Sequence, residues 1–122
     1  MMNTVLIVEN EPFVLEAMAE ILDTVGFHSI CVRDGSSGVV TYKERADEID
    51  VVILDMNLPS MAGPDVYRAM QGINPDVKVI VASGYDEQDV VTRFGELQPT
   101  SILKKPFNAQ MLIDQVWSAL SA

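Results

Sequence analysis

The sequence has few of the residues on which disulfides, soft metal sites and nucleic-acid contacts depend. One cysteine and one histidine exclude an internal disulfide and a metal site built from several such ligands. Lys and Arg number 8 against 18 Asp and Glu, and the net charge of −10 argues against direct nucleic-acid binding, which needs clustered basic residues. We interpret Cys31 as a small buried strand residue and His28 as the residue that begins the same strand.

Long apolar runs are also absent. No run approaches the roughly 20 residues of a membrane-spanning helix, and no basic region precedes a cleavage site at the N-terminus. We therefore expect a cytoplasmic protein without membrane contact. With 48% hydrophobic and 21% charged residues, the composition is typical of a globular chain, and residues 1–122 are long enough to form one domain with its own core.

The central feature that is present is the stretch from Val51 to Pro59. Four apolar residues, three of them β-branched, indicate a strand buried on both faces, and Asp55 follows them directly. Open α/β sheets bind ligands at the carboxyl ends of their strands, so Asp55 is a candidate functional residue. A lone aspartate at a strand end could equally cap a loop or a helix. The residues at the other strand ends distinguish the two interpretations.

Strand and helix patterns alternate five times along the chain. Short apolar runs predict strands at 5–8, 28–32, 51–54, 77–82 and 101–103. Helices are predicted between and after them, from Pro12 to Gly26, Val39 to Ala46, Pro64 to Ile73, Asp86 to Phe94, and from Asn108 onward. Residues 34–38 are predicted to form a turn, and Val25 and Val91 are expected to face inward. This alternation predicts a flavodoxin-like (βα)5 doubly wound sheet, with five parallel strands in the order 2-1-3-4-5 and helices on both faces.

Polar residues follow four of these strands. In the predicted order the carboxyl ends of the first, third, fourth and fifth strands converge, and they carry the segment 9–11, Asp55, Ser83 and Lys105. Carboxylates, a hydroxyl and an ammonium would then form a small polar site at one edge of an apolar sheet.

These segments resemble those of the receiver domains of two-component response regulators, and the resemblance extends over the whole length of the sequence. The resemblance depends on four motifs, which are Val8-Glu9-Asn10-Glu11-Pro12, Leu54-Asp55-Met56-Asn57-Leu58-Pro59, Ser83-Gly84-Tyr85 and Lys104-Lys105-Pro106-Phe107. The last two are most similar to receivers attached to hybrid sensor kinases.

The resemblance implies that Asp55 accepts a phosphoryl group from the phosphohistidine of a histidine kinase or a histidine phosphotransfer protein. It also implies that Lys105 and the Ser83 hydroxyl bind phosphoryl oxygens, and that the Lys105-Pro106 bond is cis. A Mg²⁺ ion is expected to be held by Glu9, Asn10, Asp55 and the backbone carbonyl of Asn57.

The resemblance further implies a signalling module rather than an enzyme with a separate substrate. Ser83 would move toward the phosphoryl oxygens and draw the loop before the fourth helix with it. The partner-binding face would be the fourth helix, the fifth strand and the fifth helix, and the partner a downstream protein or an attached output domain. Whether the chain is a stand-alone receiver or part of a longer protein stays open.

Two positions depart from the family pattern. Asn10 stands where a second acidic residue is usual, so we predict weaker Mg²⁺ binding unless Glu11 compensates. Ile102 stands where many receivers have an aromatic residue that swings inward, so that part of the switch is expected to be missing. Tyr85, on the neighbouring loop, either covers part of the site or packs for stability.

Three alternatives remain from the sequence. The first is a receiver-like binding module that works without phosphate or metal. The second is a phosphatase-type enzyme with a nucleophilic aspartate, against which Asn57 counts because the usual general acid is missing. The third is a flavin carrier on the same fold, although no phosphate-binding loop follows the first strand.

Overall fold

The computed structural model describes residues 2–122, which form five strands and five helices in strict alternation. The strands are β1 (Thr4–Val8), β2 (His28–Val32), β3 (Val51–Asp55), β4 (Val79–Ser83) and β5 (Ser101–Lys104). The helices are α1 (Pro12–Thr24), α2 (Gly35–Arg45), α3 (Gly63–Ile73), α4 (Glu87–Phe94) and α5 (Ala109–Ser121). Within the described residues no helix is both long and apolar enough to cross a membrane.

All five strands pair in parallel in the order β2-β1-β3-β4-β5. This confirms the predicted fold class and strand order. The register aligns Val8 with Leu54 and Asp55 with Ala82, so the strands that end in functional candidates finish at nearly the same level. The order therefore brings those carboxyl ends together at one edge of the sheet.

The sheet is buried on both faces because its strands are almost entirely apolar. One face packs against α2, α3 and α4, with Tyr42, Val66 and Phe94 among the buried residues. The other face packs against α1 and α5, through Met18 and Leu112 among others. The two hydrophobic cores thus fix the position of the strands whose carboxyl ends form the polar edge.

Helix α2 begins at Gly35, so the prediction of a turn over 34–38 and a helix start at Val39 is wrong. The segment Gly-Ser-Ser-Gly has turn-like composition, but Asp34 provides a helix cap. Its Oδ1 accepts a hydrogen bond from the Ser37 N–H at 2.8 Å, and its Oδ2 accepts one from the Ser37 hydroxyl at 2.9 Å. Such side-chain acceptors satisfy the unpaired donors of a first helical turn.

Three expectations about burial are also wrong. Cys31 is exposed, because β2 is an edge strand with a single neighbour and its residues are only partly covered. Val25 is 38% exposed where α1 ends, and Val91 is 49% exposed on the outer face of α4. Strand β4 also starts at Val79 rather than at Val77.

Candidate functional site

Four side chains from four strand ends meet at the carboxyl edge of the sheet. Glu9 directly follows β1, Asp55 and Ser83 are the last residues of β3 and β4, and Lys105 directly follows β5. Glu9, Asp55 and Ser83 are only 1%, 5% and 1% exposed. We refer to this cluster of Glu9, Asp55, Ser83 and Lys105 as the acidic pocket.

Lys105 connects the two buried carboxylates of the acidic pocket. Its Nζ donates to Glu9 Oε1 at 2.8 Å and to Asp55 Oδ1 at 3.4 Å, across 96 and 50 residues of sequence. The Lys105-Pro106 peptide bond is cis, as the resemblance implies. Two carboxylates face one ammonium, so the pocket carries an excess of negative charge when both acids are ionised.

This charge imbalance affects the proton affinity of Asp55. Burial and the charge of Glu9 raise the pKa of Asp55 to about 6, although Lys105 opposes the shift. Burial acts to lower the pKa of Lys105, but its contacts with Glu9 and Asp55 outweigh this and raise the pKa. Lys105 therefore stays protonated at neutral pH, whereas Asp55 loses its proton as the pH rises through about 6.

A backbone N–H of the segment after β1 fixes the position of the Glu9 carboxylate. The N–H of Glu11 donates to Glu9 Oε2 at 3.0 Å, so both carboxylate oxygens of Glu9 already accept a hydrogen bond. The side chain of Glu11 is exposed and makes no cap for α1, whereas Asn10 is partly buried. Residues 2–122 contain no group of three or more His, Cys, Asp or Glu that is suited to hold a metal ion.

Asn10 and Asn57 instead line a shared cavity beside the acidic pocket. The cavity has a volume of about 530 Å³, and Arg93 of α4 also lines it. The backbone N–H of Asn57 donates to Asp55 Oδ1 at 3.2 Å, which fixes the carboxylate relative to the loop after β3. Asn10, Asn57 and Asp55 thus lie at the same edge of the sheet, and their role in metal binding stays a prediction.

The loop between β4 and α4 is held from two sides. The Ser83 Oγ accepts a hydrogen bond from the Tyr85 N–H at 2.9 Å. The Nζ of Lys104 donates to the carbonyl oxygens of Gly84 and Tyr85 at 3.1 and 2.9 Å and lies 3.6 Å from an Asp86 carboxylate oxygen. Ile102, which replaces the usual aromatic residue, is partly buried against the core that α2, α3 and α4 cover.

Sequence reasoning did not single out Lys104 or Arg93 as neighbours of the site. The guanidinium carbon of Arg93 lies 4.2 Å from the centroid of the Tyr85 ring, and the Tyr85 hydroxyl lies 3.5 Å from Asn57 Oδ1. No sequence pattern signals the Arg93 contact, because it depends on the path of the loop between β4 and α4.

Comparisons with known proteins agree with this geometry. Residues 5–117 match the family model of the response regulator receiver domain. A cyclic di-GMP phosphodiesterase of Thermotoga maritima is 33% identical over 96% of this chain, which spans only 31% of that protein. Sporulation initiation phosphotransferase F of Bacillus subtilis is 29% identical, with 95% of this chain and 93% of that protein covered.

A solved structure of a response regulator receiver domain protein from Clostridium thermocellum has the same architecture. It superposes with a TM-score of 0.91 at 26% identity, over 98% of this chain and 95% of that one. Five parallel strands in the order 2-1-3-4-5 and a family match over nearly the whole length point the same way. The chain belongs to the response regulator receiver domains, the signalling modules of two-component systems.

Proposed function

We propose that this chain is a phosphoacceptor whose Asp55 receives a phosphoryl group from the phosphohistidine of a histidine kinase or a phosphotransfer protein. The observation that carries the proposal is the position of the Lys105 ammonium, 3.4 Å from Asp55 and 2.8 Å from Glu9 in a buried pocket. This places a fixed positive charge beside the oxygen that would bind phosphorus. Phosphoryl transfer depends chiefly on such positioning and charge neutralisation.

The reaction exchanges one bond to phosphorus for another. A carboxylate oxygen of Asp55 forms the new P–O bond while the N–P bond of the donor breaks, and its electron pair returns to the imidazole nitrogen. The attacking group must be ionised. With a pKa of about 6, Asp55 is mostly a carboxylate at neutral pH even before any cation is bound.

Lys105 and Ser83 would bind the oxygens of the transferred group. Lys105 is already within reach of Asp55 and can form a charge-assisted hydrogen bond to a phosphoryl oxygen. The Ser83 Oγ accepts a bond from the Tyr85 N–H, which leaves its own hydrogen as a donor toward the phosphoryl group. Reorientation of that hydroxyl would disturb the Tyr85 backbone and so move the loop before α4.

Receiver domains generally bind Mg²⁺ at their acidic pocket. The donor set here suits that ion, because two buried carboxylates exceed the charge of one ammonium and all the candidate ligands are oxygen atoms. Asp55, Glu9, Asn10 and the carbonyl of Asn57 would hold it, and when bound it would supply positive charge to the phosphoryl oxygens. Asn10 contributes no charge, so we expect weaker binding than with an acid at that position.

The phosphodonor protein needs a surface next to the acidic pocket. Phe13 at the start of α1 is 83% exposed, and it borders Pro106 and Phe107, which directly follow Lys105. We assign this apolar patch to the donor. Phe13→Ser should slow transfer from a phosphohistidine protein about tenfold or more while labelling by acetyl phosphate stays the same. Truncation of a hot-spot aromatic costs about 2 kcal/mol or more, and about 1.4 kcal/mol corresponds to a factor of ten.

The matched control for the donor surface is Val40→Ser. Val40 is 55% exposed but lies on α2, away from this patch. Equal effects of the two substitutions, or equal effects of Phe13→Ser on both donors, would contradict the assignment.

The downstream partner would bind the face formed by α4, β5 and α5. Val91 is half-exposed on α4, and Ile102 of β5 lines the same groove. This face adjoins the loop that Ser83 and Lys104 hold, so a change in the acidic pocket is expected to alter it.

Labelling by acetyl phosphate tests the central proposal. We expect Mg²⁺-dependent incorporation of one phosphoryl group in the intact protein and none in Asp55→Asn. The bond should have the alkali lability of an acyl phosphate. Labelling of the Asp55→Asn protein at the wild-type level would refute the assignment.

A phosphorylation-independent binding module is the second candidate. It is favoured by Asn10, and by the engagement of both Glu9 oxygens by Lys105 and the Glu11 N–H. The same experiment separates the two functions, because such a module would show no labelling with or without Mg²⁺.

A further inference from the structure

The outer edge of β2 is an unpaired sheet edge that lies next to a cavity with two carboxylates. Strand β2 stands at one end of the sheet order, with β1 as its neighbour. We propose that this edge binds an extended peptide segment of a partner protein as an added strand, and that a Lys or Arg of the segment enters the cavity beside Glu20 and Asp23. The inference does not depend on phosphorylation of Asp55.

The backbone groups of Ser29 and Cys31 point away from the sheet. The N–H of His28 and the carbonyl oxygen of Val32 both bond to residues that flank β1, at 2.9 and 3.1 Å. Alternate residues of a strand direct their backbone groups to opposite sides, so Ser29 and Cys31 face outward. Within residues 2–122 their N–H and carbonyl groups have no further strand to pair with.

The opposite edge of the sheet is closed by a side chain. Gln115 of α5 donates through Nε2 to the carbonyl oxygen of Ile102 at 3.2 Å, and its Oε1 accepts a hydrogen bond from the Ser101 hydroxyl. Native sheets often protect an edge strand, because unpaired backbone groups attract another strand. In the part of the chain that the structure describes, no side chain does this for β2. Strand addition is therefore expected at β2.

A cavity beside this edge can select the added segment. We call it the β2 cavity; its volume is about 340 Å³, and Glu20, Asp23, Phe27, His28 and Ser29 are among the residues that line it. Neither carboxylate has a basic partner among residues 2–122. The apolar wall formed by Phe27 suits the methylene stem of a Lys or Arg, and the two carboxylates suit its charged end.

Ser29 connects the edge with the β2 cavity. The side chains of Ile30 and Val32 pack against the core on the α2 side of the sheet, so by alternation Ser29 faces the α1 side. Its Oγ is buried and has no hydrogen-bond partner within residues 2–122. Buried polar groups without a partner are rare in native proteins. A strand added beside Ser29 would bring polar groups to the place where this one is left unpaired.

Charge favours a basic segment over a second copy of this chain. The net charge is −10, and a second copy would bring the same two acids to the contact. Arg33, exposed directly after β2, has the opposite sign. The basic residue of the segment is therefore expected beside the β2 cavity, with uncharged β-branched residues along the rest of the edge.

The probe is a blocked seven-residue peptide that alternates valine with threonine and has lysine at its centre. It is titrated into the intact protein, and binding is followed by the reaction of the Cys31 thiol with DTNB and by amide hydrogen exchange. Cys31 is the single cysteine and is exposed, so its thiol reports on this edge alone. We expect a saturable slowing of the thiol reaction. Exchange should slow roughly tenfold or more at the Ser29 and Cys31 N–H groups and stay unchanged at Ile30, which already bonds to β1.

Matched peptides and variants test the two parts of the contact. A peptide with glutamate for lysine lacks the charge match, and one with proline for the two inner valines keeps the charge but lacks two N–H groups. Both should bind at least about threefold more weakly. The double variant Glu20→Gln, Asp23→Asn should weaken binding of the lysine peptide about three- to tenfold, the range of one or two partly exposed ion pairs. Glu87→Gln, Asp89→Asn removes the same charge from exposed positions on α4 and should not.

Four results would overturn the inference. The first is unchanged exchange at Ser29 and Cys31 with the lysine peptide at millimolar concentration. The second is equal binding of the proline peptide, which would leave only charge attraction, and the third is an equal loss in the α4 double variant. The fourth is protection of both N–H groups that rises with protein concentration in the absence of peptide, which would assign the edge to a second copy.

Discussion

The raised pKa of Asp55 predicts that Asp55→Asn stabilises the metal-free protein. The pKa rises from 3.8 to about 6 in the folded state, and a difference of that size corresponds to at most about 3 kcal/mol. The favourable contribution of protonated Asp55 is fully present below pH 3.8 and is lost as the pH rises through about 6. Above that range an ionised Asp55 is buried beside Glu9 at a cost that asparagine avoids.

The shift to about 6 already includes the opposing attraction to Lys105, so it represents the net cost of ionised Asp55 and sets the upper limit of the gain. We expect Asp55→Asn to raise the free energy of unfolding by about 1–3 kcal/mol at pH 7.5, and by about half as much at pH 5. Urea unfolding followed by circular dichroism, with EDTA present, measures both values. The pH should stay above the isoelectric point, which is about 4.2.

The control is Asp47→Asn, which removes the same charge from an exposed position. It corrects for the general benefit of lowering the net charge of −10. A gain at pH 7.5 no larger than that of Asp47→Asn would refute the reasoning. A gain that stays the same at pH 5 would show that Asp55 titration is not its source.

Three further predictions concern the charge and packing around the site. Asn10→Asp should lower the Mg²⁺ concentration needed for half-maximal acetyl phosphate labelling and speed labelling; unchanged values would contradict weak metal binding at Asn10. Lys105→Met should lower the free energy of unfolding by about 2–4 kcal/mol at neutral pH, because two buried carboxylates lose their counter-ion, and urea unfolding should show a smaller loss near pH 5. Gly35→Ala should lower the thermal midpoint and cost about 1–3 kcal/mol, because a Cβ there would lie 2.8 Å from a Val66 methyl group. Gly72→Ala, which meets nothing within 4 Å, is the matched control, and an equal loss there would contradict the packing argument.

The sheet and the meeting of Asp55 with Lys105 could be predicted from the sequence. Apolar runs bounded by polar residues mark buried parallel strands, and the carboxyl ends of such strands converge whatever their separation along the chain. The resemblance also gave the cis bond before Pro106, which the structure contains. The assigned roles of the site residues stay predictions until labelling is measured.

Other features could not be predicted because they depend on local contacts and backbone paths that composition does not encode. The segment after Asp34 has the composition of a turn, and only the cap made by its carboxylate reveals the first turn of α2. The exposure of Cys31 follows from the edge position of β2, which the predicted strand order already contained but the composition of the strand does not show. The contact of Arg93 with Tyr85 depends on the path of the β4–α4 loop, which no periodicity predicts.

Lys104 and Lys105 are consecutive, yet they hold different parts of the molecule. Lys105 is bonded to the buried acids, whereas Lys104 is bonded to the carbonyl groups of the loop that leads to α4. One peptide bond therefore separates the counter-ion inside the protein from the restraint on its surface. A displacement at the end of β5 would move both lysines together. A structural change at Asp55 would therefore reach the loop before α4 across a single peptide bond.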